Sequence, residues 1–204
     1  MDDYTTIILA KGSSSLYRTF LSVWMQDILP KSIIFLTQTK NVDKVQLTCN
    51  TVIEDAGARD VGVEIFESEI SKISQTMGNL NTSFFNLLVE RDFLLPEFGQ
   101  RSMQFFSQNN ANNIVRHTFW QRTDSGASKA VTHQSNLNHQ VAPLSTLMLM
   151  MQSEAKYEWV DNFNENFECN VGDLVPDWVE GNNCVIQSNR QSAFAPKMHL
   201  RQKN

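Results

Sequence analysis

The sequence predicts an α/β fold: a single domain with a mostly parallel central sheet and helices on both faces. Three observations carry this prediction. Over residues 1–120, β-branched apolar runs alternate four times with segments whose apolar residues recur at helical spacing. Glycine, proline or serine separates these segments, as turns and helix ends require. The apolar runs are nearly continuous, which is typical of parallel strands that are buried on both faces.

The first strand and helix are predicted at the amino terminus. Residues 4–10 (YTTIILA) indicate a buried strand, which Lys11-Gly12 ends, and residues 13–15 supply capping serines for a helix. Apolar residues then fall on one helical face, so that Trp24 is predicted to be buried against the sheet, and Pro30 ends the helix. That face consists of Leu16, Phe20, Val23, Trp24 and Ile28.

Four more strands and three more helices follow. Strands are predicted at residues 32–37, 61–66, 83–89 and 113–120, and a helix at 96–107 with Pro96 in its first turn. Two further helical faces are Val42, Val45, Cys49, Val52 and Ile53, closed by Gly57, and Ile70, Ile73, Met77 and Leu80. Right-handed crossovers bring the carboxyl ends of parallel strands to one edge, where ligands of open α/β sheets bind.

The pattern changes after Trp120. Residues 121–140 are polar and rich in serine and asparagine, which indicates a long loop or flap. Residues 145–151 (STLMLMM) fit either a strand or a buried helix, 173–180 predict a short helix, and 184–188 predict a last strand. The domain therefore divides into residues 1–120, the loop at 121–140, and residues 141–204.

The composition excludes several functions. Of 204 residues, 41% are hydrophobic and 19% charged, as in globular proteins. The net charge of −5 and the lack of a basic stripe argue against a nucleic-acid partner. No apolar run approaches the roughly 18 residues of a membrane span. Three cysteines without a C-x-x-C pair do not indicate a disulfide framework or a zinc site, and a cytoplasmic location is predicted.

Two acidic residues stand where the fourth strand ends. Glu90 and Asp92 flank Arg91 directly after the apolar run of residues 84–89. Because residues i and i+2 of a strand point the same way, both carboxylates are able to reach one Mg²⁺ or Mn²⁺ ion. The alternative is a solvated strand end in which Asp92 caps a turn.

The order of these segments resembles a known family. TIILAKGSSSLYRTFLSVWMQDILPKSIIFL contains a strand, a loop, a helix with Ser22 and Gln26 in a Ser-x-x-x-Gln segment, Pro30 and an apolar strand. SFFNLLVERDFLLPEFGQRSMQFF contains a strand, an acidic motif, a Leu-x-Pro segment and a helix, and STLMLMM precedes NFNENFECNVGDLV. Together these segments resemble the GT-A fold, family-2 glycosyltransferases, over most of the chain.

The resemblance implies transfer of a sugar from a nucleotide-sugar donor to a saccharide or another acceptor. It implies Asp173 as the general base that deprotonates the acceptor hydroxyl, with a helix N-cap as the alternative. It implies a Mg²⁺ or Mn²⁺ ion that neutralises the leaving diphosphate. The remaining site residues that it implies are Lys11, Thr37, Gln38 and Arg91 for the nucleotide and Glu90, Asp92 and His199 for the metal.

The sequence departs from the family pattern at three places. The second strand ends in Thr37-Gln38-Thr39, without the aspartate that holds the nucleotide base. The metal motif keeps one aspartate in register, Asp92, and the Glu-Asp pair becomes Gly172-Asp173. A second interpretation is therefore a non-catalytic GT-A-like binding or assembly module. A third interpretation is another doubly wound nucleotide binder, but the sequence contains neither a G-x-G-x-x-G nor a P-loop motif.

Overall fold

A computed structural model of the chain describes residues 3–67, 80–108, 114–122, 128–131, 141–150, 168–170 and 178–187. Its helices are α1 (Leu16–Trp24), α2 (Val42–Ala56) and α3 (Phe98–Gln108), with short 3₁₀ turns at Thr39–Asn41 and Leu144–Thr146. Its strands are β1 (Tyr4–Leu9), β2 (Ser32–Thr37), β3 (Gly62–Glu67), β4 (Phe84–Val89), β5 (Phe93–Leu94), β6 (Ile114–Arg122), β7 (Ser128–Val131), β8 (Val141–Pro143), β9 (Leu147–Met150), β10 (Glu168–Asn170) and β11 (Trp178–Gln187).

One large mixed sheet organises the fold. Its order is β3-β2-β1-β4-β9-β6-β11-β5, with β7 on β6, while β8 and β10 form a separate antiparallel pair. The first four strands are parallel neighbours, as the sequence predicts, and Ile7 pairs with both Ile34 and Leu87. β9 lies between β4 and β6 and is antiparallel to both. The fold is therefore mixed α/β around a central sheet that is mostly parallel.

The three described helices pack on one face of this sheet. Their apolar side chains form a single core with strand residues such as Ile8 and Leu88. Trp24 is 1% exposed, which confirms its predicted burial, and its indole N–H donates to the carbonyl of Gly57 at 2.9 Å. The ring of Phe20 meets that of Trp24 edge to face.

The opposite face of the parallel strands is buried as well. Ile7 and Leu9 on β1 and Phe85, Leu87 and Val89 on β4 are at most 1% exposed. Burial on both faces is the reason that these strands read as continuous apolar runs. Most of the third predicted helical face, from Ile70 to Met77, lies outside the described residues.

Several element boundaries differ from those that the sequence predicts. α1 ends at Trp24 rather than near Pro30, and the side chain of Gln26, just beyond the helix, binds backbone groups of a later segment. Within the run at 145–151, Ser145 and Thr146 belong to a 3₁₀ turn, and Leu147–Met150 form the strand β9. The helix predicted at 173–180 is wrong at its end, where β11 pairs with β6 from Trp178 onwards. β7 occupies part of the predicted polar loop.

None of the helices in the described part of the chain has the length and apolar character that a membrane crossing needs.

Candidate functional site

The loop between β1 and α1 surrounds the carboxylate of Glu90. Its Oε2 accepts hydrogen bonds from the N–H groups of Lys11 at 2.5 Å and Gly12 at 3.0 Å. Its Oε1 accepts from the N–H of Ser13 at 2.9 Å and from the hydroxyls of Ser13 and Ser15. Glu90 is 3% exposed. Consecutive amides that converge on an anion form a nest, and here a carboxylate of the chain itself occupies the nest.

The backbone of Gly12 makes this arrangement possible. Its φ of +67° lies in the left-handed region, where a side chain is unfavourable. A Cβ atom at this position would also stand 2.7 Å from the Cβ of Lys44 on α2. Glycine is therefore required both by the turn of the loop and by its close approach to α2.

Arg91 has a strained backbone at the end of β4. Its φ of +91° is rare for a residue with a side chain. The N–H of Arg91 donates to the hydroxyl of Thr19 on α1 at 3.0 Å, and the two flanking acids are both buried. Such strain persists only where surrounding contacts hold it, and it is found preferentially at functional sites.

Asp92 points away from Glu90. It is fully buried, and its Oδ2 accepts a hydrogen bond of 2.5 Å from the hydroxyl of Ser145, in the turn before β9. The expectation that Glu90 and Asp92 share a direction is wrong, because β4 ends at Val89 and the chain turns at Arg91. The alternation of side chains applies only within a strand.

The two acids do not fit a shared divalent ion. The oxygens of Glu90 are engaged by the β1–α1 loop, and Asp92 faces Ser145 on the other side of the turn. Across the described ranges there is no group of three or more His, Cys, Asp or Glu side chains placed to hold a metal ion. His199 and Asp173, the predicted metal ligand and general base, lie outside the described residues.

Thr37 and Gln38, the two residues at the end of β2 that are predicted to bind the nucleotide, differ in burial. Thr37 is 2% exposed, and its hydroxyl donates to the carbonyl of Ala10 at 2.7 Å, so that it joins β2 to the end of β1. Gln38 is exposed, and its carbonyl accepts from the N–H of Asn41 at 2.8 Å. The side chain of Gln38 is therefore open to solvent, whereas that of Thr37 is bonded within the sheet.

Three basic residues follow the ends of three adjacent strands. Lys11 follows β1, Arg91 follows β4, and Lys40 lies in the 3₁₀ turn after β2. Burial lowers the pKa of the Lys11 ammonium, Glu90 opposes this shift, and the charges of Arg91 and Lys40 lower the pKa further. Arg91 and Lys40 each lie near enough to Lys11 for their charges to act on its ammonium. The sequence reasoning did not single out Lys40.

The polar edge of α1 holds the segment after β4 in place. The hydroxyl of Ser22 accepts from the N–H of Leu94 at 3.1 Å. The side chain of Gln26 donates to the carbonyl of Leu95 at 2.8 Å and accepts from the N–H of Gly99 at 3.1 Å. Ser22 and Gln26, which carry part of the resemblance, thus position the segment that follows Arg91 and Asp92 and leads into α3.

Comparison with known proteins identifies the fold. No family model and no curated protein sequence matches the chain. Among solved structures, it is similar to TarS 1–349 from S. aureus in complex with UDP, with a TM-score of 0.60 and 9% identity over 93% of this chain. TarS 1–349 in complex with UDP-GlcNAc gives a TM-score of 0.61 and 10% identity over 94%.

These matches extend over only part of the neighbouring proteins. The chain spans 61% and 59% of the two TarS 1–349 chains, and 37% of the longer TarS structure. A mannosyltransferase, PcManGT from Pyrobaculum calidifontis in complex with GDP-Man and Mn²⁺, matches 55% of this chain at a TM-score of 0.46 and 8% identity. The TarS matches, together with the parallel order β3-β2-β1-β4, show that the chain has a GT-A-like glycosyltransferase fold.

Proposed function

We propose that this protein is a glycosyltransferase that binds a nucleotide-sugar at the carboxyl edge of β1, β2 and β4 and transfers the sugar to a saccharide or another acceptor. The observation that carries the proposal is the position of Lys11, Gln38 and Arg91 at this edge, in the fold of proteins solved with UDP and UDP-GlcNAc. Ligands of open α/β sheets bind at such an edge.

Each residue has a distinct part in this proposal. The guanidinium of Arg91 and the ammonium of Lys11 bind phosphate oxygens of the donor, since both follow strands that end beside the β1–α1 loop. The amide of the exposed Gln38 binds the nucleoside, and Thr37 contributes through the backbone because its hydroxyl is bonded to Ala10. Asp173 keeps its predicted role as the base for the acceptor hydroxyl.

A divalent ion is what the family resemblance implies for this site. When bound, Mg²⁺ or Mn²⁺ would supply positive charge to the leaving diphosphate. The pair Glu90 and Asp92 does not fit such an ion, so that we assign Glu90 to the stability of the β1–α1 loop. A cytoplasmic location also remains a prediction.

A non-catalytic binding module is the second candidate. One observation favours it: the carboxylate of Glu90 occupies the amide nest of the β1–α1 loop, and Asp92 is fully buried. In this case the edge would bind a nucleotide, or a molecule that resembles one, without turnover.

Two measurements distinguish the candidates. Calorimetric titration with UDP, GDP and UDP-GlcNAc measures binding, and release of UDP from UDP-GlcNAc in the presence of a panel of saccharides measures turnover. The transferase predicts both, and Asp173→Asn then abolishes release while preserving binding. Binding without release from any donor supports the module. A chain that binds none of the three nucleotides contradicts a donor site at this edge.

A further inference from the structure

We propose that Lys11, Lys40 and Arg91 form a diphosphate site that works without a divalent metal ion. This inference rests on the proposed nucleotide-sugar site and specifies its chemistry. The three side chains supply the positive charge that a bound ion would otherwise supply to the phosphates. Their placement, exposure and backbone geometry each support this assignment.

The sheet register brings the three cations to one place. Leu9 at the end of β1 pairs with Leu36 on β2 and with Val89 on β4, so the three strands end at nearly the same level. Lys11 and Arg91 each follow their strand by two residues, and Lys40 lies in the turn directly after β2. Because neighbouring strands are about 4.8 Å apart, the three strand ends span about 10 Å, which is comparable to an extended diphosphate with its sugar.

The two acids that flank Arg91 are turned inward while Arg91, Lys11 and Lys40 are not. Glu90 and Asp92 are 3% and 0% exposed, and each accepts hydrogen bonds from groups inside the protein. Lys40 is exposed, and Lys11 and Arg91 are partly exposed. An anion that approaches the ends of β1 and β4 from solvent therefore meets Lys11 and Arg91 before it meets Glu90 or Asp92. The exposed carboxylate at this edge is that of Glu67 at the end of β3, which accepts a hydrogen bond from the hydroxyl of Thr39.

Contacts of the backbone hold Arg91 in one conformation. Thr19 holds its N–H at 3.0 Å, and its neighbours Glu90 and Asp92 are anchored to different elements. A φ of +91° with an arginine side chain is costly where glycine would be strain-free. The strain is understandable if the guanidinium has to be presented in one direction, since its planar fork binds phosphate with two parallel hydrogen bonds.

The test compares UDP binding in EDTA and in Mn²⁺ by calorimetry, with uridine as the phosphate-free ligand. We expect UDP to bind with similar affinity in both conditions, and uridine to bind at least about tenfold more weakly because charge-assisted contacts are lost. Lys40→Ala and Arg91→Gly should each weaken UDP binding about tenfold and leave uridine binding unchanged. Glycine accepts a positive φ, so the second variant keeps the backbone geometry.

Lys31→Ala is the matched control. It removes one positive charge at the opposite edge of the sheet, where Lys31 pairs with Asp3, and should change UDP affinity less than about twofold. UDP binding that requires Mn²⁺, or that is unchanged in both Lys40→Ala and Arg91→Gly, overturns the metal-independent site and leaves the donor site standing. A protein that binds neither UDP nor UDP-GlcNAc in either condition contradicts the proposed function itself.

Discussion

The hydroxyl of Ser145 donates a hydrogen bond of 2.5 Å to Oδ2 of Asp92 and accepts one of 3.3 Å from the N–H of Val89. One side chain thus joins the end of β4 to the turn before β9, in a position without solvent access.

Replacing this hydroxyl should destabilise the protein. Ser145→Ala removes a donor from a fully buried carboxylate, and we expect the free energy of unfolding to fall by about 1.5–3 kcal/mol, the usual range for a hydrogen bond to a charged group. Urea denaturation followed by tryptophan fluorescence measures this change. The control is Ser14→Ala at an exposed loop serine, which should cost less than about 0.5 kcal/mol. Equal stability of the two variants would contradict the importance of the Ser145–Asp92 contact.

Glu90→Gln tests the amide nest. The substitution is nearly isosteric, but it turns an NH₂ group toward amide donors that need an acceptor. We expect a loss of roughly 2 kcal/mol or more in the free energy of unfolding, because buried donors are left without partners. Glu97→Gln serves as the control, since Glu97 is exposed and its carboxylate pairs with Arg101 at the surface. A variant with unchanged stability and lost Mn²⁺ binding would support the predicted metal role of Glu90 instead.

Trp24→Ala tests the core beneath α1. Removal of a buried indole, together with its hydrogen bond to Gly57, should lower the free energy of unfolding by roughly 3–5 kcal/mol. The adjacent Met25 is 48% exposed, and Met25→Ala should have a much smaller effect. Similar melting temperatures for the two variants would mean that the helix register is incorrect.

Gly99→Ala tests a close contact at the start of α3. A Cβ atom there would lie 2.6 Å from the hydroxyl of Tyr4 and 2.9 Å from the carbonyl oxygen of Ile28, and those two groups share a hydrogen bond of 2.7 Å. We expect a cost of about 1–3 kcal/mol from overpacking, measured by thermal unfolding. At Gly62 the nearest atoms are 3.7 Å away, so Gly62→Ala should be close to neutral. A neutral Gly99→Ala would show that α3 is able to shift.

Cys49 should resist alkylation in the native protein. Burial raises the pKa of its thiol to about 12, so that at pH 8 only about one molecule in ten thousand carries the reactive thiolate. Burial favours the uncharged thiol, so the reactive thiolate forms only as the pH rises toward the raised pKa. Iodoacetamide labelling with peptide mapping, in buffer and in urea, measures this. Rapid labelling of Cys49 in buffer would contradict its burial in α2.

The parallel half of the fold was predictable because its signals are local. Apolar runs indicated β1, β2 and β4, the β-branched segment VGVEIF indicated β3, and Gly57, with its positive φ, ends α2 where the sequence predicts. Residues within each of these elements determine its type, and the right-handed crossover rule then brings the carboxyl ends of the strands to one edge.

The insertion of β9 and the geometry of the acids depend on distant parts of the chain. Nothing near residues 147–150 indicates that they pair with β4 and β6, since both partners are remote in sequence. The direction of Glu90 follows from the amides of the β1–α1 loop rather than from its place after β4. A visible signal was the K-G-S-S-S loop itself, in which glycine and serines indicate a cluster of donors that requires an anion.

The position of β9 also has a consequence for biosynthesis. β4 is complete when residue 89 has been made, but the strand that covers its outer edge ends at residue 150, about 60 residues later. At a translation rate of about 5–20 residues per second, that edge stays uncovered for roughly 3–12 seconds on the ribosome. An apolar strand with open hydrogen-bonding groups is prone to pair with other chains. Newly made copies of this protein are therefore most exposed to aggregation, and to capture by chaperones, between the synthesis of β4 and that of β9.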